Sequence, residues 1–331
     1  MIDLSDIAQR LVAPGKGILA ADESVGSADK RLAAYGIETG EKMRREYRDL
    51  FLATPGIEQY LSGVILNEET LGQKSLEGGE MFPLLLAERG ILPGVKVDEG
   101  LEPLEGSPNE TITGGLLGLS KRLEGYREQH GTVFTKWRAT IVIDGTALPT
   151  RRALVENGKR LAQYASCVQA AGMVPMLEPE VLLKGKHSRK RARDVLRETL
   201  EVMMAAVEDH AVDTSALLVK SSMVLSGSES GRMDMPEEVA EDTLAALMAA
   251  VPAKVPGIVF LSGGQSPDQA TRNLSAITQD AERKRAPWPL SFSYARALQE
   301  EALTAWQGKK ENVPAAREAF VRRLETVAEA L

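Results

Sequence analysis

The chain has 331 residues, 43% hydrophobic and 26% charged, enough apolar material for one large barrel or about two average domains, which excludes a disordered polymer. Its 47 acidic against 40 basic residues give a net charge of −7, which excludes nucleic acid as the main partner because phosphate backbones demand a basic face. A single cysteine, Cys167, excludes an intrachain disulfide and a thiolate metal cluster, and within the helical run Ala162–Ala171 it reads as a small core residue.

The N-terminus lacks the basic and apolar regions of a signal peptide, and no apolar run approaches the roughly 18 residues of a membrane helix. The expectation is a cytoplasmic protein with no membrane partner. Leu4, Ile7 and Leu11 recur at helical spacing and predict a helix ahead of the first strand. Short apolar runs then alternate with amphipathic stretches: Gly17–Ala21, Gly63–Leu66, Val95–Val97, Phe134–Ile143, Val174–Leu177, Ala216–Val224, Ile258–Leu261 and Leu290–Tyr294. Pro236 suits the first turn of a helix carrying Ala240, Leu244, Leu247, Met248 and Val251 on one face. Phe320, Leu324, Val327 and Leu331 repeat likewise, so the chain is expected to end inside a helix. Gly/Pro clusters such as Leu104–Asn109 and Val251–Gly257 fall singly between elements, and no linker divides the chain. Eight strand candidates in one uninterrupted chain predict an α/β fold, a (β/α)8 TIM barrel forming a single catalytic domain over residues 1–331, with extra helices at both ends. A doubly wound open sheet is the runner-up. Its usual nucleotide-binding glycine motifs, G-x-G-x-x-G and G-x-x-x-x-G-K-[ST], are absent.

Several strands break their own apolar pattern. Asp22 closes the first, Lys96 interrupts the third, and Lys220 closes the sixth. Lys136 and Arg138 lie two apart, as do Glu178 and Glu180, so each pair shares one face of its strand. A lone buried charge costs several kcal/mol unless it is paired. A ring of structural salt bridges is the bland explanation. Polar residues at the carboxyl ends of barrel strands converge on one mouth, so the pattern predicts a charged cavity there.

Two places read as anion sites. Ser262-Gly263-Gly264 follows the seventh strand and Ser293-Tyr294-Ala295-Arg296 the eighth, where glycine-rich turns and helix N-termini bind phosphate in barrels. Ser24, Ser27 and Arg31 after Asp22, with Lys96 and Arg138 nearby in a barrel, suggest the second; a capped surface helix is the alternative for the serines. Lys96, Lys136, Arg138, Lys220, Arg296 and Arg31 set against Asp22, Glu178 and Glu180 predict a pocket near +3, suited to a ligand with two phosphates.

A lysine among other cations loses its proton more readily, and its neutral amine can attack a carbonyl to form a Schiff base. Lys220 and Lys136 are both candidates. A neighbouring carboxyl group could protonate the departing carbinolamine hydroxyl, and the iminium would then accept electrons from a breaking carbon–carbon bond. The competing route is metal catalysis, but His130, His187 and His210 lie at no strand end and have no ligand spacing, so no metal or other cofactor is expected.

The segments Gly15–Ser24, Val95–Asp98, Lys136–Arg138, Val174–Glu180, Phe260–Ser266 and Trp306–Asn312 resemble those of class I fructose-bisphosphate aldolase, in order along nearly the whole chain. The resemblance implies reversible cleavage of fructose 1,6-bisphosphate to dihydroxyacetone phosphate and glyceraldehyde 3-phosphate, without metal. It implies Lys220 as the Schiff-base lysine and Asp22 in proton transfer at the C4 hydroxyl. Glu178 and Lys136 would handle protons during carbinolamine formation and dehydration, with Glu180 close by. Ser24, Ser27, Lys96 and Arg138 would face the C6 phosphate; Ser262, Gly263, Ala295 and Arg296 the C1 phosphate; and Arg31 would be a mobile arginine near the substrate. A homo-oligomer, commonly a tetramer, is implied as well.

Three departures stand out. Ser215-Ala216-Leu217-Leu218-Val219-Lys220-Ser221-Ser222 replaces the common Glu-Gly-Thr-Leu-Leu-Lys-Pro-Asn, and Ala295 stands where a glycine is usual. The chain ends at Leu331 without the tyrosine-ended tail of the animal enzymes, so proton exchange on the enamine is expected to use another group or to run slowly. Two other readings remain: a relative preferring sedoheptulose 1,7-bisphosphate, and a non-catalytic phosphosugar-binding scaffold.

Overall fold

Eight strands carry the architecture: β1 (Gly17–Ala21), β2 (Leu61–Leu66), β3 (Leu92–Lys96), β4 (Phe134–Ile141), β5 (Val174–Val181), β6 (Leu218–Ser221), β7 (Ile258–Phe260) and β8 (Leu290–Tyr294). In the computed structural model, which describes residues 3–331, each pairs in parallel with its sequence neighbours and β8 returns to β1, closing a barrel. The open-sheet alternative is therefore set aside, and the fold is a (β/α)8 barrel with helices between strands.

Because the side-chain period of a strand is two, each strand sends alternate residues inward. Ile18, Ala20, Ile65, Leu92, Phe134, Val174, Met176, Leu218 and Val259 form one apolar cluster inside the barrel. Leu19, Val64, Val95, Trp137, Leu177, Val219 and Phe260 belong to the larger cluster that packs the strands against the surrounding helices. The predicted N-terminal helix, Leu4–Leu11, starts on Asp3, whose carboxylate accepts the Ser5 N–H at 2.9 Å. Its Ile7, Ala8 and Leu11 join the inner cluster and plug the N-terminal end of the barrel. Gly94 is needed there: a Cβ on it would lie 2.4 Å from the Phe134 ring.

The last inward positions before the opposite end change character. They run Ile18-Ala20-Asp22 on β1, Phe134-Lys136-Arg138 on β4, Val174-Met176-Glu178-Glu180 on β5 and Leu218-Lys220 on β6. The same end receives the N-termini of the return helices. Thr150, Ser188 and Ser266 accept backbone N–H groups of Ala153, Arg191 and Gln269 and so cap three of them.

Four expectations need correction. The run Ala216–Val224 contains a strand only over Leu218–Ser221; Thr214–Ala216 is a single 3-10 turn held by Asp213, and the Val224 N–H leaves the sheet for Thr243 Oγ1. Leu104–Asn109 is not a connector but the tip of an antiparallel hairpin, Leu101–Leu104 with Ser107–Thr113, inserted between β3 and β4. Met248, placed on the buried face of the helix Pro236–Ala250, is 46% exposed. The last helix spans Val313–Ala328, buries Phe320, Leu324 and Val327, and stops before Leu331.

Candidate active site

The C-terminal ends of the strands surround a cavity of about 740 Å³. At its floor four charged side chains, each more than nine-tenths buried, form one cluster. Lys136 Nζ lies 2.7 Å from Asp22 Oδ2 and 2.7 Å from Glu178 Oε2, while the other oxygen of Glu178 lies 3.1 Å from Lys220 Nζ. Register explains the contact: Arg138 stands beside Glu178 across the β4–β5 ladder, so Lys136, two positions earlier on the same face, lies one step below Glu178.

Burial pushes the Asp22 carboxyl up, but Lys136 and Lys220 outweigh it and hold the group well below the usual carboxylate range. Burial also pushes Glu178 up, and the same two lysines bring it below its ordinary value. Burial pushes Lys136 down, and Asp22 and Glu178 raise it well above the ordinary lysine value. Lys136 is therefore a firmly protonated ammonium between two carboxylates. Lys220 touches one carboxylate, shared with Lys136, and is the better placed of the two lysines to act as a nucleophile.

The departure around Lys220 has a visible consequence. Ser222 Oγ accepts the Val181 N–H at 3.0 Å and approaches the Val181 carbonyl at 3.2 Å, tying the end of β6 to the end of β5. Glu180 does not join the lysines; it pairs with the Nε of Arg138. Lys96 is held by Asp98 through its carboxylate (2.5 Å) and its backbone carbonyl (2.9 Å). The other Asp98 oxygen accepts the Arg138 backbone N–H at 3.2 Å.

Ser24 and Ser27 line the same cavity with their hydroxyls 3.0 Å apart. Ser24 occupies the N-cap of the helix Val25–Ala34 but makes no side-chain cap bond, so its hydroxyl is not engaged as a helix cap. Ser262, Gly263, Ala295 and Arg296 line the cavity from the ends of β7 and β8, the latter the neighbour of β1. Gly263 and Gly264 both have positive φ, +58° and +93°, a turn that glycine adopts at least cost. Ala295 is the N-cap of the helix Arg296–Trp306 and leaves its first amides without a side-chain acceptor.

Arg31 is the one expected site residue that lies outside the cavity lining. Its guanidinium is turned into a cluster with Glu23, Gln299 (2.5 Å) and Tyr47 (3.1 Å). Glu23 is further held by Arg48 at 2.6 Å. The expected charge balance also changes. Glu23, Glu68, Asp98 and Glu99 line the cavity in addition to the three expected acids, and Arg122 replaces Arg31 among the cations, so seven carboxylates face six cations. Arg122 donates to the carbonyls of Val97 (2.9 Å) and Gly115 and lies 3.5 Å from Glu99. Ser293 Oγ, buried and without a protein hydrogen-bond partner, is a further lining group. Asp98 was signalled by the sequence, directly after Lys96 and Val97; Arg122, on a helix far from any strand end, carried no such signal.

Comparison with known proteins places the whole chain in one family. The family model for fructose-bisphosphate aldolase class-I matches residues 3–331. The cytosolic fructose-bisphosphate aldolase 4 of Arabidopsis thaliana is 47% identical over 317 residues, covering 96% of this chain and 79% of that one. Human fructose-bisphosphate aldolase C is 46% identical over 324 residues, covering 98% and 88%. Among solved structures, the Plasmodium falciparum fructose-bisphosphate aldolase, crystallised with TRAP and a small-molecule inhibitor, superposes with a TM-score of 0.95 at 41% identity over 99% of this chain and 93% of that one. With an eight-stranded barrel, two buried lysines sharing one carboxylate and this degree of likeness along its length, the chain belongs to the class-I fructose-bisphosphate aldolase family.

Proposed function

We propose that this protein is a single-domain, metal-independent lyase that reversibly cleaves fructose 1,6-bisphosphate to dihydroxyacetone phosphate and glyceraldehyde 3-phosphate through a Schiff base on Lys220. The observation that carries the reading is Glu178, whose two oxygens reach Lys220 at 3.1 Å and Lys136 at 2.7 Å. A nucleophile and a proton carrier on one carboxylate are what imine formation requires.

The neutral Lys220 amine attacks the C2 carbonyl. The Lys136–Glu178 pair delivers the proton with which the carbinolamine hydroxyl leaves as water. Asp22, ionised at neutral pH and directly paired with Lys136, accepts the C4 hydroxyl proton as the C3–C4 bond breaks into the iminium. The aldehyde departs, the enamine is protonated at C3, and hydrolysis frees the ketone. Lys96, Arg138, Ser24 and Ser27 would hold the C6 phosphate, and Ser262, Gly263, Ala295 and Arg296 the C1 phosphate, since one group lies at the ends of β1, β3 and β4 and the other at the ends of β7 and β8 around one cavity. Glu180 would orient Arg138, and Arg31 would reach the substrate only after leaving Glu23.

Cytoplasmic location is proposed because two of the most similar relatives are named cytosolic; among the described residues no helix is long and apolar enough to cross a membrane. Assembly as a homo-oligomer is proposed from the family resemblance alone. The test of function is steady-state cleavage in excess chelator, with fructose 1,6-bisphosphate and sedoheptulose 1,7-bisphosphate compared. Turnover with the six-carbon substrate supports the reading. A strong preference for the seven-carbon substrate redirects it, and binding without turnover of either makes the protein a phosphosugar-binding scaffold.

A further inference from the structure

The cavity's own charge does not explain how it collects its substrate. Seven carboxylates and six cations line it, in a chain of net charge −7, whereas each phosphate of a sugar bisphosphate carries about −1.5 to −2. Positive charge is concentrated instead at the rim. The segment leaving β5 just after Glu180 reads Lys184-Gly185-Lys186-His187-Ser188-Arg189-Lys190-Arg191-Ala192-Arg193, six cations with no acid among them.

Folding accounts for two of the six. Arg189 is engaged by Asp234, Glu238 and Asp242, and Arg193 by Asp242 and Asp194. Lys184, Lys186 and Lys190 are exposed, and among the described residues neither they nor Arg191 take part in an ion pair. Arg191 donates only to the backbone carbonyls of Gly145 (3.3 Å) and Leu148 (3.1 Å). The exposed acids on the loops that touch this segment, Asp144 and Glu229, are fewer than its free cations. Lys190 and Arg191 also sit in the first turn of the helix Arg189–Asp209, which has no acid there, so they oppose the helix dipole. A charge pattern that works against its own helix calls for an external anion.

The segment is fixed in place. Gly227, Ser228 and Glu229, from the loop that follows Lys220, donate their N–H groups to the carbonyls of His187, Leu183 and Gly185, each at 2.8 Å. Leu183 and His187 line a small cleft whose other wall includes Leu261 and Gly263, and those two also line the catalytic cavity. The basic segment therefore adjoins the mouth on the β5–β6–β7 side.

We propose that Lys184, Lys186, Lys190 and Arg191 form a cationic rim that draws doubly phosphorylated sugars to the cavity, raising kcat/KM without entering the chemical step. The proposal rests on the aldolase reading for its substrate. Exposed charges act over about 30 Å at 10 mM salt but only about 8 Å at physiological ionic strength, so the effect is set by salt.

The test compares two double charge reversals of equal net charge. One is K184E/K186E at the rim. The other is K254E/R285E, on exposed residues that have no ion pair among the described residues and that precede β7 and β8, and so lie at the opposite end of the barrel. At about 10 mM ionic strength the rim variant is expected to lose about fivefold in kcat/KM for fructose 1,6-bisphosphate, with kcat held within about twofold, while the remote variant matches the wild type. The loss should shrink for fructose 1-phosphate, which has half the phosphate charge, and disappear by about 0.3 M salt. Equal behaviour of the two variants, a loss that persists in high salt, or a matching fall in kcat overturns the proposal. Calorimetric binding of fructose 1,6-bisphosphate across the same salt series reads the rim independently of turnover. A salt-dependent binding loss in a protein that does not cleave would therefore keep the rim and discard the enzyme reading.

Discussion

The two ends of this barrel are built by the same strands to opposite purposes. At the N-terminal end the inward positions are Ile18, Leu92, Phe134, Val174 and Leu218, sealed by Ile7 and Leu11, and each of these is apolar. At the C-terminal end the same inward rows reach Asp22, Lys136, Glu178 and Lys220, all buried and mutually paired. The apolar plug gains stability from area removed from water, about 25 cal/mol per Å². Burying the ionic cluster costs free energy unless the pairing is good. One end thus stabilises the barrel on which the other holds its unfavourable charges in place. The two should respond to substitution in different currencies.

Lys220→Met should have the largest effect. It removes the proposed nucleophile but leaves Glu178 paired with Lys136, so kcat should fall by roughly 10⁴-fold or more while thermal stability changes little. Steady-state cleavage and a melting curve check both halves. Lys136→Met tests whether chemistry and stability are separable at this end. It leaves Asp22 without its direct partner and Glu178 with Lys220 alone, so both kcat and stability should fall, the latter by about 3–5 kcal/mol. An active enzyme of normal stability would show that Lys136 neither carries protons nor neutralises the cluster. Leu11→Ala makes the converse cut at the plug. Chemical denaturation should show a loss of about 2–5 kcal/mol, and below the melting transition kcat should stay near wild type.

The smallest effect concerns pH. Asp22 and Glu178 titrate below their ordinary range in the folded chain, so the unfolded chain binds more protons in acid. Their contribution to stability is complete above the unfolded values, near pH 4, and is lost as pH falls through the lowered folded ones. Lys136 is raised, so its contribution is complete below the ordinary lysine value and is lost only as pH climbs through the raised one. Between about pH 5 and 10 the cluster should therefore contribute a constant amount. The stabilities of wild type and Asp22→Asn in urea, separated by a constant amount above about pH 4, should converge below it as the wild type falls more steeply; parallel curves would mean that Asp22 is not held low by its lysines.

The contrast between the ends was largely legible in the sequence, because strand periodicity and charge are local. Alternation placed Lys136 with Arg138 and Glu178 with Glu180 on inward faces, and Asp22 and Lys220 marked their strands' ends as charged. What was not legible depends on partners far along the chain. Arg31 turns toward Tyr47 and Gln299, the latter hundreds of residues away, and leaves the cavity. The cavity's charge differs from the expected balance because Glu68 and Arg122 come from helices and Glu99 from a loop rather than from inward strand positions. The hairpin Leu101–Thr113 escaped notice because its strands are mostly polar and solvent-facing. Thr113 Oγ1, donating to the Arg138 carbonyl at 2.8 Å, helps dock it over β4.

The central claim is that Lys220, and not Lys136, forms the covalent bond to substrate. Incubation with dihydroxyacetone phosphate in excess EDTA, borohydride reduction and peptide mass spectrometry would locate that bond. A stable adduct on Lys220 is the predicted result. An adduct on Lys136, or none in folded protein that still binds the ligand, would contradict it.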